Sequence, residues 1–197
     1  MCSSDLNNGT LDGTLANTRF YFLGGSGATT YNGSGTVTAP LTSWEVDNVA
    51  GVTIDPAVNQ IVASRFNNFA GGLTGSGKLT LGNGVATSAV VQLGLTGVVS
   101  PVTGFDVPPV FNPGSGGVIL LYAPELTGRT TGNEMPPSRV LNTLSISNTN
   151  NITIAPNVEI LELTGGANGE GAGPDALRRL VLAGGEVVAD DLVVLDV

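Results

Sequence analysis

The chain has no histidine, one cysteine and one lysine among its 197 residues. Without histidine no side chain has an ordinary pKa near neutrality, and the usual Cys/His zinc sites and thiol relays are excluded with it. Positive charge is also scarce: seven basic residues face sixteen acidic ones, a formal charge of −9. A nucleic-acid binder needs the opposite balance, and a protein held at an anionic membrane surface needs a basic patch. Neither partner is expected. No stretch approaches the ~18 consecutive apolar residues of a membrane span, so membrane insertion is not expected either. Against these absences stand 41% hydrophobic residues, enough to fold, and 29 glycines with 11 prolines. Together Gly and Pro make about a fifth of the chain, below the roughly 25 to 30% at which low-complexity disorder is the default reading.

The two ends read differently from the middle. Residues 1–6 include Cys2-Ser3-Ser4-Asp5-Leu6, which back-translates as TGC TCT TCC GAT CTN and is similar to the end of a common sequencing adapter. The expectation is that residues 1–6 are an adapter artefact. The cysteine then drops out, the charge becomes −8 with the loss of Asp5, and the natural N-terminus with any signal peptide lies upstream. The alternative, a lipoprotein-type cysteine, needs a preceding apolar run. At the other end the chain stops inside a strand-like stretch at Leu195-Asp196-Val197. Residues 7–197 are accordingly expected to be one segment of a longer protein.

Apolar and polar residues alternate over four to six positions and are then interrupted by Gly, Asn or Pro, the grammar of short strands. Strands are expected at Phe20 to Phe22, Trp44 to Val46, Val52 to Ile54, Leu79 to Leu81, Val90 to Leu93, Val118 to Tyr122, Leu144 to Ile146, Ile152 to Ile154, Ile160 to Leu163, Leu180 to Leu182 and Leu192 to Leu195. Pro174 to Ala183 also has the punctuation of a short helix, though a strand is favoured there. Gly-Ser-Gly recurs at 25, 33, 75 and 114, each time ahead of a β-rich run, as tight corners between strands require.

A repeat at an offset of 100 is the strongest internal signal. Leu41 to Val58 aligns without a gap on Leu141 to Val158, with six identities in eighteen positions. Val46/Ile146, Val52/Ile152 and Ile54/Ile154 take the inward places; Glu45/Ser145, Asp47/Ser147 and Thr53/Thr153 take the outward ones. A slip of one residue would turn every apolar side chain to water, so the shared parity predicts that both copies bury the same face. Asn48/Asn148 and Pro56/Pro156 mark turns. Short strands, frequent corners and self-similarity suit a single-stranded parallel β-helix (β-solenoid), whose rungs bury their apolar faces only by stacking. A β-sandwich is the alternative, and the scarcity of hairpin signals such as Asn-Gly at 8, 32 and 83 weighs against it.

Trp44-Glu-Val-Asp-Asn48 followed by Gly51-Val-Thr-Ile54, and Leu144-Ser-Ile-Ser-Asn148 followed by Asn151-Ile-Thr-Ile154, resemble the N-L-T-I-N-N … G-V-T-L repeats of large secreted and cell-surface proteins of Bacteroidetes. Residues 78–94, 105–112 and 136–142 are similar to the same proteins, which commonly end in a type IX secretion sorting domain. The resemblance implies a β-helical, adhesin-like stalk outside the cell, with surface glycans or other proteins as partners, and carries no catalytic residue across.

Several strings approach known sites. Gly72-Leu-Thr-Gly-Ser-Gly77-Lys78-Leu79 almost spells a P-loop, which needs Ser or Thr after the lysine and a helix N-terminus for the phosphate; Leu79 opens a strand instead. Gly171-Ala-Gly-Pro-Asp175 resembles one calcium-binding β-roll repeat, but there is one copy and Glu170 replaces its first glycine, so weak calcium binding in the Gly165 to Asp175 loop is an outside reading beside a plain Gly-rich loop. Glu186, Asp190 and Asp191, beside Arg178 and Arg179, form the densest charged cluster and the one place for a glycan-cleaving carboxylate pair. The reading favoured is a solvated outer face. Thr36-Val37-Thr38, Thr80 and Thr153 lack the regular repetition of a flat surface-binding array. The sequence thus leads to no catalytic, cofactor or metal residue and to a non-enzymatic structural or adhesive segment of an exported bacterial surface protein, located extracellularly or at the cell surface, with a carbohydrate-active β-helix enzyme fragment as the alternative.

Overall fold

The computed structural model describes residues 4–6, 8–15, 17–24, 27–85, 88–95, 101–123, 128–147, 152–154, 158–165, 187–189 and 192–194. The strands are β1 (Ser4–Leu6), β2 (Thr10–Leu11), β3 (Arg19–Leu23), β4 (Thr29–Asn32), β5 (Thr36–Val37), β6 (Ser43–Asp47), β7 (Val52–Ile54), β8 (Ile61–Ala63), β9 (Arg65–Thr74) and β10 (Leu79–Leu81). They continue as β11 (Ala89–Leu93), β12 (Val102–Phe105), β13 (Val110–Phe111), β14 (Val118–Tyr122), β15 (Arg129–Thr130), β16 (Val140–Ile146), β17 (Ile152–Ile154), β18 (Val158–Gly165), β19 (Val187–Ala189) and β20 (Leu192–Val194). The fold is all-β, and every ladder among the described residues is parallel. Each strand pairs with one that lies 18 residues away in the tightest step, Ile61 to Leu79, and 35 in the longest, Ile152 to Val187. Parallel neighbours need a crossover and hairpins cannot supply them, which removes the sandwich of antiparallel repeats.

The ladders lie on three faces. The longest sheet runs β3-β6-β9-β11-β14-β16-β18-β20. A second face carries β1-β4-β7-β9-β12 and, farther along, β15-β17-β19; β2-β5 and β8-β10-β13 make the third. Strand β9 belongs to two faces. Its first half pairs with β6 and β11, its second with β7 and β12. The bend falls at Asn68 to Gly71, where Asn68 Nδ2 donates to the Gly71 carbonyl at 3.1 Å. Gly71 has φ +68°, and a Cβ there would overlap the Asn48 carbonyl oxygen of the preceding corner, so this position requires glycine.

Inside the faces, side chains stack strand on strand. Phe20, Trp44, Phe66, Val91, Leu120 and Leu144 are register partners in turn, and all but the half-buried Phe20 are buried. The scarce aromatics concentrate at one end of this column, where Phe20 stacks on Trp44 at 4.7 Å and Tyr31 meets Trp44 edge-on at 5.0 Å. Each such buried side chain contributes about 1.5 to 3 kcal/mol of hydrophobic stabilisation.

Four register steps of 22, 25, 29 and 24 residues lead from Trp44 to Leu144, so the 100-residue offset of the repeat equals four strand-to-strand steps. Val46, Val52, Ile54, Ile146, Ile152 and Ile154 are all buried, as the parity predicts. Asn48 holds its corner by donating to the Gly27 carbonyl and Thr29 Oγ1, both at 3.1 Å, and by accepting from the Ala50 amide at 3.0 Å. Asn148 and Pro156 lie outside the described residues. The strands expected from alternation are present wherever the structure describes them; Leu180 to Leu182 and the helix-like Pro174 to Ala183 lie outside. Ser4–Leu6 pairs in parallel with Thr30 to Asn32. A backbone ladder at a sheet edge accepts any sequence, so this pairing carries no weight on the origin of residues 1–6.

Candidate functional site

The long sheet places Tyr21, Glu45, Asn67 and Gln92 side by side as register partners in β3, β6, β9 and β11. Their parity is outward, and the flanking outward positions bring Arg19, Ser43, Asp47 and Arg65 to the same surface. Glu45 is outward by parity but only 6% exposed, because its neighbours close over it. It accepts from the Ser43 hydroxyl and from Asn67 Nδ2 at 3.2 Å, with Arg19 Nη1 3.7 Å away. Arg65 donates from Nε to Asn67 Oδ1 at 2.6 Å and from Nη2 to Gln92 Oε1. Burial pulls the Arg65 guanidinium below its usual pKa, and Glu45 opposes that shift.

Next to this network Tyr21 donates its hydroxyl to Asp47 Oδ2 at 2.9 Å. Burial first, then that hydrogen bond and the negative charges of Asp47 and Glu45, push the Tyr21 phenol up to about 12. The shift runs away from neutrality, whereas a general acid or base needs a pKa near the working pH. The strip therefore holds its charges in fixed mutual hydrogen bonds, a geometry for recognition or bracing. Glu45 and Asp47 share one side of β6 two residues apart, about 6 to 7 Å between Cα atoms.

The P-loop-like string makes a different site. Gly75 caps a short 3₁₀ turn, Ser76–Lys78, and the amides of Gly75 and Ser76 with the buried Ser76 hydroxyl all donate to the Asp106 carboxylate, at 2.9, 3.1 and 2.6 Å. Burial pushes the Asp106 carboxyl up, but these bonds and the Val107 amide outweigh it and hold the pKa below the usual carboxylate value. The donors that a phosphate would use are occupied by the chain's own anion, one strand along. On the second face Gly51, Gly72 and Gly104 come into register outside Val52, Leu73 and Phe105. They floor a cleft of about 350 Å³ rimmed by Thr74, Thr103 and Asp106.

Of the residues singled out in the sequence, Glu170, Asp175, Arg178, Arg179, Glu186, Asp190 and Asp191 lie outside the described residues. Thr36, Thr80 and Thr153 fall on strands β5, β10 and β17, which are not paired with one another; Thr80 accepts from Gln60 Nε2 at 2.8 Å. An in-register threonine row does occur elsewhere, Thr30, Thr53 and Thr74 across β4, β7 and β9. The polar strip escaped sequence reading because its members come from four strands whose register alternation alone does not fix. The available signal was Glu45 and Asp47, two acidic outward residues on one strand with arginines about one strand-to-strand step away on either side. Among the described residues no group of three or more Cys, Asp or Glu side chains could hold a metal ion, and no helix is long and apolar enough to cross a membrane. No family model matches the chain, and no curated protein or solved structure shows significant similarity to it.

Proposed function

We propose that the chain is a segment of a single-stranded parallel β-solenoid that serves as a non-enzymatic structural or adhesive stalk of an exported bacterial surface protein. The observation that carries this reading is the register: parallel ladders join strands roughly one coil apart on every face, and one apolar column threads β3 to β16 without a break. Eight strands of the long sheet at about 4.8 Å spacing span about 34 Å. An array of this kind stacks units along one axis and separates what lies at its ends. The resemblance of the Trp44 to Ile54 and Leu144 to Ile154 segments to repeats of Bacteroidetes surface proteins supports a location outside the cell, and the polar strip suits an outer wall that meets surface glycans or proteins. The test has two parts. The full-length protein should label on intact cells with antibodies to this segment, and small-angle scattering of the segment should fit an elongated particle. Labelling only after lysis, or a spherical envelope, would reject the reading.

The alternative, a fragment of a carbohydrate-active β-helix enzyme, draws on Glu45 and Asp47, whose shared side of β6 suits a carboxylate pair. Both carboxylates already have donors, and Tyr21 is shifted upward, which favours the stalk. No release of reducing ends or unsaturated products from neutral or acidic polysaccharides is expected. Release abolished by Glu45→Gln, Asp47→Asn or Glu186→Gln would establish the enzyme instead.

A further inference from the structure

Among the described residues, two of the three faces lose their ladders at one level of the stack. On the second face β12 is bonded to β9, and no pairing joins it to β15; on the third, β13 ends the β8-β10-β13 ladder. Only the long sheet crosses this level among the described residues, through Ala89 to Leu93 of β11 paired with Val118 to Tyr122 of β14. Side chains stand where the next strand would be. Arg129 Nη1 donates to the Val102 carbonyl at 3.2 Å, and Asn133 Nδ2 to the carbonyls of Phe105 at 3.1 Å and Asp106 at 2.8 Å.

Beneath them lies a buried ion pair. Arg129 Nη2 is 3.5 Å from Glu134 Oε2, and Glu134 is 1% exposed. The other Glu134 oxygen accepts from the Tyr122 hydroxyl at 3.0 Å. Strand β12 accommodates the guanidinium with a bulge between Val102 and Gly104, and a Cβ on Gly104 would stand 3.2 Å from Arg129 Nη2.

We infer that this level is a hinge of the stack: the β11-β14 ladder is the hinge line, and Arg129, Asn133 and Glu134 form a latch that closes the second face opposite it. The inference concerns the stack itself and does not depend on the stalk reading. In a quasi-one-dimensional array each unit is held by its nearest-neighbour interfaces, and opening starts at the weakest one. Everywhere else between β6 and β12 at least two faces share ladder bonds; here one does. The latch is also all-or-none. Loss of one partner leaves a buried charge without compensation, whereas replacing both by apolar side chains of similar volume is tolerated. A stack jointed in this way bends or opens at a defined place, with the β3 to β12 block moving against the β15 to β19 block.

Hydrogen exchange measured by mass spectrometry on the intact protein tests the hinge. In the wild-type chain the amides of β15 and β17 should exchange about tenfold faster than those of β6 and β7, through a local opening. Glu134→Gln should raise exchange in residues 128–147 and 152–154 by a further factor on the order of 100, with β3 to β9 unchanged, and Arg129→Met combined with Glu134→Met should bring it back to within a few-fold of wild type. Equal protection of β15, β17, β6 and β7 in the wild-type chain overturns the hinge, and this comparison decides the matter even if a variant fails to fold. Glu134→Gln loosening β3 to β9 as much as β15 to β17 overturns it as well.

Discussion

The two copies of the repeat, Leu41 to Val58 and Leu141 to Val158, agree inside and differ at the outward places of β6 and β16. Leu41 and Leu141, Trp44 and Leu144, Val46 and Ile146, and Val58 and Val158 are all buried, pair by pair. On the outer side, one copy offers Glu45, closed over by Arg19, Ser43 and Asn67, where the other offers Ser145, half-buried beside Leu121 and Thr164 in its row. The inward parity is what stacking demands, so it recurs. The outward residue is free to change.

The largest effect should come from breaking the shared side. Trp44→Ala should cost about 3 to 5 kcal/mol and Leu144→Ala about 2 to 5 kcal/mol, each lowering the melting temperature by roughly 10 °C at this chain size. Thermal denaturation followed by circular dichroism reads both. Similar losses sharpen the comparison, and a loss confined to one copy breaks it.

Next comes the side on which the copies differ. Glu45→Ala strands the Ser43 hydroxyl and Asn67 Nδ2 and should cost about 1 to 3 kcal/mol, while Ser145→Ala should change stability by no more than about 0.5 kcal/mol. Urea denaturation of the two variants gives the difference. Equal effects would mean that the polar strip does not brace the sheet.

The pH dependence separates the strip from the Asp106 brace. Tyr21 is raised to about 12, and Tyr122 is raised well above 10 by burial and then by the charge of Glu134. A raised phenol stabilises the fold fully below its unfolded pKa near 10, and that contribution is lost as pH climbs toward the folded value. Stability should therefore fall from about pH 10 upward, and Tyr21→Phe should remove part of the fall. Asp106 is shifted the other way. Its contribution is full above the unfolded carboxyl pKa near 3.9 and is lost as pH drops toward the lower folded value, so Asp106→Asn should flatten the acid limb of a melting-temperature profile.

Much of the fold is legible in the sequence because parity is a local property. Val46, Val52 and Ile54 announce their faces within nine residues, and the offset of 100 carries the same pattern into the second copy. Strand β9 was not legible. Arg65-Phe66-Asn67-Asn68-Phe69-Ala70-Gly71-Gly72 loses its alternation where the chain rounds a corner inside a continuous strand, and Asn68, polar and wholly buried, sits on the inward side at that bend. The strip at Glu45 was half legible: its outward direction follows from parity, but Arg19, Asn67 and Gln92 are brought to it by steps of 22 to 27 residues between strands, lengths set by the corners. The smallest effect is expected at the edge. Removing residues 1–6 takes away three ladder residues beside β4 and should leave the melting temperature within about 1 °C; a drop of several degrees would show that these residues belong to the fold.

The central claim is that the strands stack in parallel in one continuous register, and cysteine cross-linking tests it most directly. Register partners on neighbouring parallel strands lie about 4.8 Å apart, within the reach of a disulfide, while partners two strands apart do not. With Cys2→Ser as background, the pairs Thr30→Cys with Thr53→Cys and Thr53→Cys with Thr74→Cys should each form an intramolecular disulfide on mild oxidation, and Thr30→Cys with Thr74→Cys should not. Rapid cross-linking of Thr30→Cys with Thr74→Cys, or none in the two adjacent pairs of a folded protein, would contradict the stack.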